Sequence, residues 1–232
     1  MKTVRFLGII LGASALLLGI PVAVAVAESK PVSISSKIVL TDPLVPEVIK
    51  AQAPATPEPQ WLTAQKAARV VTYTVTTRGV ITADLAEFKT DANQTFNDPR
   101  GWASLGLRFE EVASGGMFTL ALSQASEVPS FSSFCDSMYS CTVGNTVVIN
   151  QDRWLGATAP WNQAGMSLRD YRHLVINHET GHWLGHPDTN TCSGAGQPAP
   201  VMAQQSITTS GCAFNSWPLA SERWSSKLGI HV

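Results

Sequence analysis

Apolar residues recur along this chain with two periods, and the switches between them lay out its elements. Residues 69–76, Arg-Val-Val-Thr-Tyr-Thr-Val-Thr, are rich in β-branched side chains and predict a strand. From 82 to 96 the period lengthens. Leu85, Phe88 and Ala92 fall on one face of a helix with Thr82 as its cap, and Asn97-Asp98-Pro99-Arg100-Gly101 stops it. Residues 108–112 and 118–122 predict two more strands, joined across Ser114-Gly115-Gly116. A loop over 124–141 follows, then a fourth strand over 146–150. Ser167-Leu168-Arg169-Asp170 fits a capping box that opens a second long helix. On it Leu168, Tyr171, Leu174, Val175, His178 and His182 share a broad face. The apolar members are expected to pack on the sheet, and the histidines to emerge at its cleft end. Residues 189–217, rich in Gly, Ser and Gln, read as loop, and 219–228 as a last helix.

The N-terminus has a different pattern. Lys2 and Arg5 precede an uncharged stretch from Phe6 to Ala27 that ends Ala25-Val26-Ala27, the layout of an export signal cleaved after Ala27. The stretch approaches the roughly 20 residues of a membrane span, so an uncleaved anchor through 6–27 is the alternative. Pro21 and the Ala/Val tail favour cleavage. Six prolines punctuate 28–60, which reads as a semi-rigid spacer, and 61–232 make one domain of ordinary size. The expected location is secreted, or the outer face of the cell envelope.

Composition narrows the function classes. Of 232 residues, 44% are hydrophobic and 14% charged, with a net charge of −1 and no basic patch, which excludes a nucleic-acid partner. All four cysteines lie in the domain. Export makes disulfides plausible, and four cysteines allow three pairings. The local pairing Cys135–Cys141 with Cys192–Cys212 is the simplest. The spacings lack the paired C-x-x-C of a structural zinc site, and no cysteine in 28–60 could serve as a latency switch. Trp154 and Trp161 read as core in preference to pocket walls. His173, off the histidine face, reads as a surface residue, and His231 as uninvolved.

The chemistry concentrates in His178-Glu179-Thr180-Gly181-His182-Trp183-Leu184-Gly185-His186-Pro187-Asp188. Residues four apart share a helix face, so His178 and His182 can present two imidazoles to one ion. Glu179 sits about 100° round the helix, where a carboxylate can take a proton from water at the metal. Zinc lowers the pKa of such water to about 7. Gly185 can end the helix in the left-handed conformation, and Pro187 prevents its resumption. The chain must therefore turn, and a residue a few positions later can return to the metal. His186 and Asp188 both compete for that place, and Gly185 with Pro187 favours Asp188. A glutamate from later in the chain, Glu222, is a third option.

The sequence H-E-x-x-H-x-x-G-x-x-D over His178, Glu179, His182, Gly185 and Asp188 resembles the metzincin clan of zinc endopeptidases, and the aspartate variant resembles small secreted bacterial proteases of the snapalysin type. Together with Pro200-Val201-Met202-Ala203-Gln204-Gln205, it also looks like a secreted actinobacterial domain of unknown function that is itself metzincin-like. The specific match covers about residues 140–218. The resemblance implies an α+β fold: a small mixed twisted sheet, an active-site helix, a methionine turn at Met202 and a C-terminal helix. It implies Zn2+ held by His178, His182 and Asp188, with Glu179 catalytic. Without the motif, Met202 would be an ordinary core methionine.

These readings lead to an exported, monomeric zinc metalloendopeptidase. An extended peptide or protein substrate is expected to add its backbone to the 146–150 strand as an edge. A non-catalytic, metal-stabilised envelope or extracellular binding domain is the rival, best suited by a closed four-ligand site that includes His186. An amidase acting on a non-protein amide is a third reading.

Overall fold

Five segments pair into one sheet: β1 (Arg69–Arg78), β2 (Leu107–Glu111), β3 (Phe118–Ser123), β4 (Cys141–Val143) and β5 (Thr146–Asn150). The computed structural model describes residues 68–231, so the expected signal or anchor (1–27) and spacer (28–60) lie outside the described residues. The strand order is β2-β1-β3-β5-β4. Strand β1 pairs parallel with β2 and β3, β3 pairs parallel with β5, and β4 pairs antiparallel with β5. The fold class is α+β with a mixed sheet, as the sequence leads one to expect.

Strand β4 corrects two expectations. It begins at Cys141, the last residue of the segment read as loop, and it occupies the edge assigned to 146–150. Gly144, at φ 58°, opens a two-residue turn that folds β4 back on β5, a geometry suited to a hairpin. Strand β5 is therefore interior, and β4 carries the free edge.

Among the described residues, four α-helices accompany the sheet: α1 (Leu85–Asn97), α2 (Gln151–Gly156), α3 (Ala159–Gln163) and α4 (Leu168–Leu184). Alternation along the strands turns Val71, Tyr73, Phe118, Leu120, Leu122, Val147 and Ile149 into one core with Phe88, Ala92 and Phe96 of α1 and Tyr171, Leu174 and Trp183 of α4. Each fully buried Val, Leu, Ile or Phe side chain among them contributes about 1.5–3 kcal/mol. Phe96 sits at the centre, edge-on to Tyr73 and stacked on Phe109 at 5.0 Å. Trp154 on α2 and Trp161 on α3 are fully buried, as expected. On the other sheet face Val148 packs with Val128 and Cys135.

The cap of α1 is Asp84, not Thr82. Its carboxylate accepts from the amides of Ala86 and Glu87. The amides of Thr82 and Ala83 are taken by Gln151 Oε1, which holds them outside the helix. Helix α4 starts as read, with Ser167 Oγ accepting from the Asp170 amide.

The expected helix over 219–228 is reduced to a single 3-10 turn, Ala220–Glu222. Tertiary bonds capture the backbone that a helix would need. Ser225 and Ile230 exchange both amide bonds, and Ser225 Oγ donates to the Leu184 carbonyl. His173 is also not a surface residue. It is buried between α1 and α4, with Nδ1 2.8 Å from Thr95 Oγ1 and its ring on Trp217. Burial holds its pKa below the usual histidine value.

Of the three possible cysteine pairings, the structure has Cys135–Cys141 and Cys192–Cys212. Two disulfides fit an oxidising, extracytoplasmic compartment. Among the described residues, no helix is long and apolar enough to cross a membrane.

Candidate metal centre

The last two turns of α4 place His178 and His182 on one face, their rings 4.8 Å apart and nearly perpendicular. Gly185 ends the helix at φ 102° in a Schellman motif: the His186 amide bonds to the Gly181 carbonyl, and the Gly185 amide to the His182 carbonyl. A side chain at Gly185 would also run into Ser226 Oγ. The chain reverses here, and Asp188 comes back over the imidazoles. Asp188 Oδ1 lies 3.4 Å from Nε2 of both His178 and His182. Among the described residues, these three form the group suited to hold a metal ion, their donor atoms all within 4.8 Å of one another.

Each donor is oriented from behind. His178 Nδ1 lies 2.9 Å from the Val201 carbonyl, and His182 Nδ1 lies 2.9 Å from the His186 carbonyl. A carbonyl can only accept, so both Nδ1 atoms carry a proton, and both Nε2 atoms are turned toward Asp188. Asp188 Oδ2 accepts from Gln204 Nε2 at 2.9 Å. The imidazoles of His178 and His182, followed by Gln204, hold the Asp188 carboxyl far below the usual carboxylate range, against its partial burial. Burial opposes the charged form of His182, but Asp188 and Glu179 outweigh it and raise its pKa. Two imidazoles that turn Nε2 toward one carboxylate, each group with its other polar atom tethered, fit zinc in chemistry and ligand number.

His186 and Glu222, the competing ligands, are otherwise engaged. His186 is buried, its Nε2 donates to the Trp224 carbonyl at 2.8 Å, and its ring lies between Trp102 and Trp224. Its own carbonyl is what orients His182. Glu222 is buried, with its carboxylate on the amides of Val201, Met202 and Leu219. Met202 is also buried, and its sulfur fills the space above Gly181, where a Cβ would come within 2.3 Å of Sδ. Gly181 therefore lets the thioether settle against the helix between the two histidines.

A cleft of about 630 Å³ opens over the cluster, lined by His178, Glu179, His182, Asp188, the β4 edge and residues 203–207. Glu179 is buried in its wall. Thr142 of β4 places Oγ1 2.9 Å from Glu179 Oε2 and 2.8 Å from the Glu179 carbonyl. Burial raises the Glu179 pKa, while His178, His182 and Thr142 pull it down.

The model of a protein family described as a protein of unknown function, DUF3152, matches residues 51–220. The chain belongs to this family. Comparison with curated proteins finds no match. The DUF3152 match includes β1 to β5, α4 and the loop with Met202, and it begins inside the 28–60 stretch.

The sequence reading of this DUF3152 domain picks out His178, His182, Asp188 and Glu179, and the fold brings all four to one cleft. It misses Thr142 and Gln204. Thr142 lies beside the segment read as loop, with no motif around it. Gln204 stands in the run Pro200-Val201-Met202-Ala203-Gln204-Gln205, and only its two-residue offset from Met202 could have drawn attention to it.

Proposed function

We propose that the protein is a zinc-dependent peptidase of metzincin type, exported from the cell. The observation that carries this reading is the pair of Nδ1 tethers, which turn two Nε2 atoms toward Asp188 in a cleft that also contains Glu179. His178, His182 and Asp188 would hold the ion. When bound there, zinc polarises a carbonyl and makes water more acidic. The Glu179 carboxylate would accept the proton of the attacking water and return it to the leaving amine. Its burial keeps bulk water from levelling its basicity, and Thr142 fixes the carboxylate's direction. The free edge of β4 is available to pair with an extended substrate backbone, in the place first assigned to 146–150. Gly185 ends the helix and Met202 underlies it, which supports the metzincin comparison.

The rival binding-domain reading is best served by a fourth protein ligand. His186 was the candidate, and its ring is committed to Trp224. Three donors leave a coordination position for substrate chemistry.

Hydrolysis of casein and of mixed peptides, with and without a chelator, tests the proposal. Wild type is expected to cleave, and the chelator to stop it. Glu179→Gln is expected to lose about 10²–10⁴-fold in rate, as for loss of a general base, while keeping its zinc. Equal inactivity of wild type and Glu179→Gln on every substrate would favour the binding domain. Loss of zinc from Glu179→Gln would make Glu179 a ligand and overturn the mechanism.

A further inference from the structure

We infer that Glu222 is a positioning residue for the metal ligand His178, acting through the peptide bond between Val201 and Met202. The inference rests on the metal-site reading above. Glu222 Oε1 accepts from the Met202 amide at 2.9 Å, and Oε2 accepts from the amides of Val201 at 2.9 Å and Leu219 at 2.8 Å. The Met202 N–H and the Val201 C=O belong to one planar trans peptide, so they point in opposite directions. Glu222 grips one end of that plane, and His178 Nδ1 donates to the other at 2.9 Å. A carboxylate on the N–H polarises the amide and strengthens its carbonyl as an acceptor. Glu222 thereby fixes both the orientation of the His178 ring and the tautomer that leaves Nε2 free.

The neighbouring residues act on the same end of α4. The Trp224 carbonyl accepts from His186 Nε2, and the His186 carbonyl in turn accepts from His182 Nδ1. Ser225 Oγ donates to the Leu184 carbonyl. The 3-10 turn and the residues just after it thus reach both imidazoles from behind. Glu222 through Ser225 lie past residue 220, where the family match ends. A buried carboxylate with both oxygens committed to amides of a metal-site loop is an expensive feature if it serves packing alone, because its charge must be taken out of water.

The test is Glu222→Gln in the full chain. The amide keeps the shape but replaces one acceptor oxygen with a donor that faces an N–H. Zinc affinity, read by competition with a chromophoric chelator, is expected to fall about 10–100-fold, the usual effect of losing a group that orients a ligand. Circular dichroism is expected to stay unchanged. With ¹⁵N-labelled histidine, the His178 Nδ1 proton signal should shift or broaden in the metal-free variant while that of His182 persists. Ser225→Ala, on the same segment but off the Val201–Met202 peptide, is expected to leave the His178 signal in place. Unchanged zinc affinity with an unchanged His178 signal would overturn the inference.

If Glu222→Gln does not fold, metal-free wild type decides. The amides of Val201 and Met202 should then exchange as slowly as the core of the sheet, and fast exchange would overturn the inference. If wild type binds no zinc, the metal reading fails, and the histidine signals still decide whether Glu222 orients His178.

Discussion

The sheet with α1 and the stretch from Gly185 to Ile230 are held together by different physics. In the first, apolar side chains alternate along β1, β3 and β5 and meet the apolar stripe of α1, and most of the backbone bonds lie in ladders and helix turns. In the second, the only helical element is a 3-10 turn, and single polar side chains take up backbone groups one by one. Glu222 takes three amides, while Gln205 and Asn215 cross-link the loop through the Pro200, Asn215, Ala199 and Trp217 carbonyls. The Cys192–Cys212 bridge closes it. The sheet supplies stability to a helix that points at a cleft, and the irregular stretch decides how His178, His182 and Asp188 face each other. Stability and site geometry are thus separable by mutation.

Phe96→Ala offers the strongest challenge to that separation. It empties the centre of the aromatic cluster and is expected to cost about 3–5 kcal/mol in chemical denaturation. The folded fraction should bind zinc as tightly as wild type. A matching loss of zinc affinity would mean that the core also sets the site.

Removing the loop disulfide with Cys192→Ser and Cys212→Ser sharpens the contrast from the other side. The bridge spans 20 residues, a loop for which chain-entropy arguments give about 3 kcal/mol. The same change loosens the loop that carries Val201, Met202 and Gln204, so zinc binding should weaken along with stability. If zinc affinity is unaffected while denaturation shifts, the polar cross-links alone hold the site.

The same division explains what was legible in the sequence. Strand and helix positions in the sheet half follow from periodicity, because burial on one face imposes it. The four site residues were legible because His178, Glu179 and His182 must share a helix, and Gly185 with Pro187 forces the return that brings Asp188 over them. Misreadings cluster where a single tertiary bond overrides local preference. Gln151 takes the amides of Thr82 and Ala83 and moves the α1 cap to Asp84. Ser225 and Ile230 pair and abolish the terminal helix. Thr95 and Trp217 bury His173. Strand β4 is three residues long, too short for a period to register, and it took the edge from β5. Gln151, Thr95 and Trp217 are far in sequence from the groups they engage, so no window along the chain contains both partners.

On the proposed reading, His178, His182 and Asp188 form one metal site with three protein donors. Calorimetric titration of zinc into the metal-free chain tests it most directly. Wild type is expected to bind one zinc per chain, His182→Ala to bind none specifically, and Asp188→Ala to lose far more affinity than His186→Ala. Unchanged stoichiometry and affinity in His182→Ala would contradict the account, and a larger loss in His186→Ala than in Asp188→Ala would move the third ligand to His186.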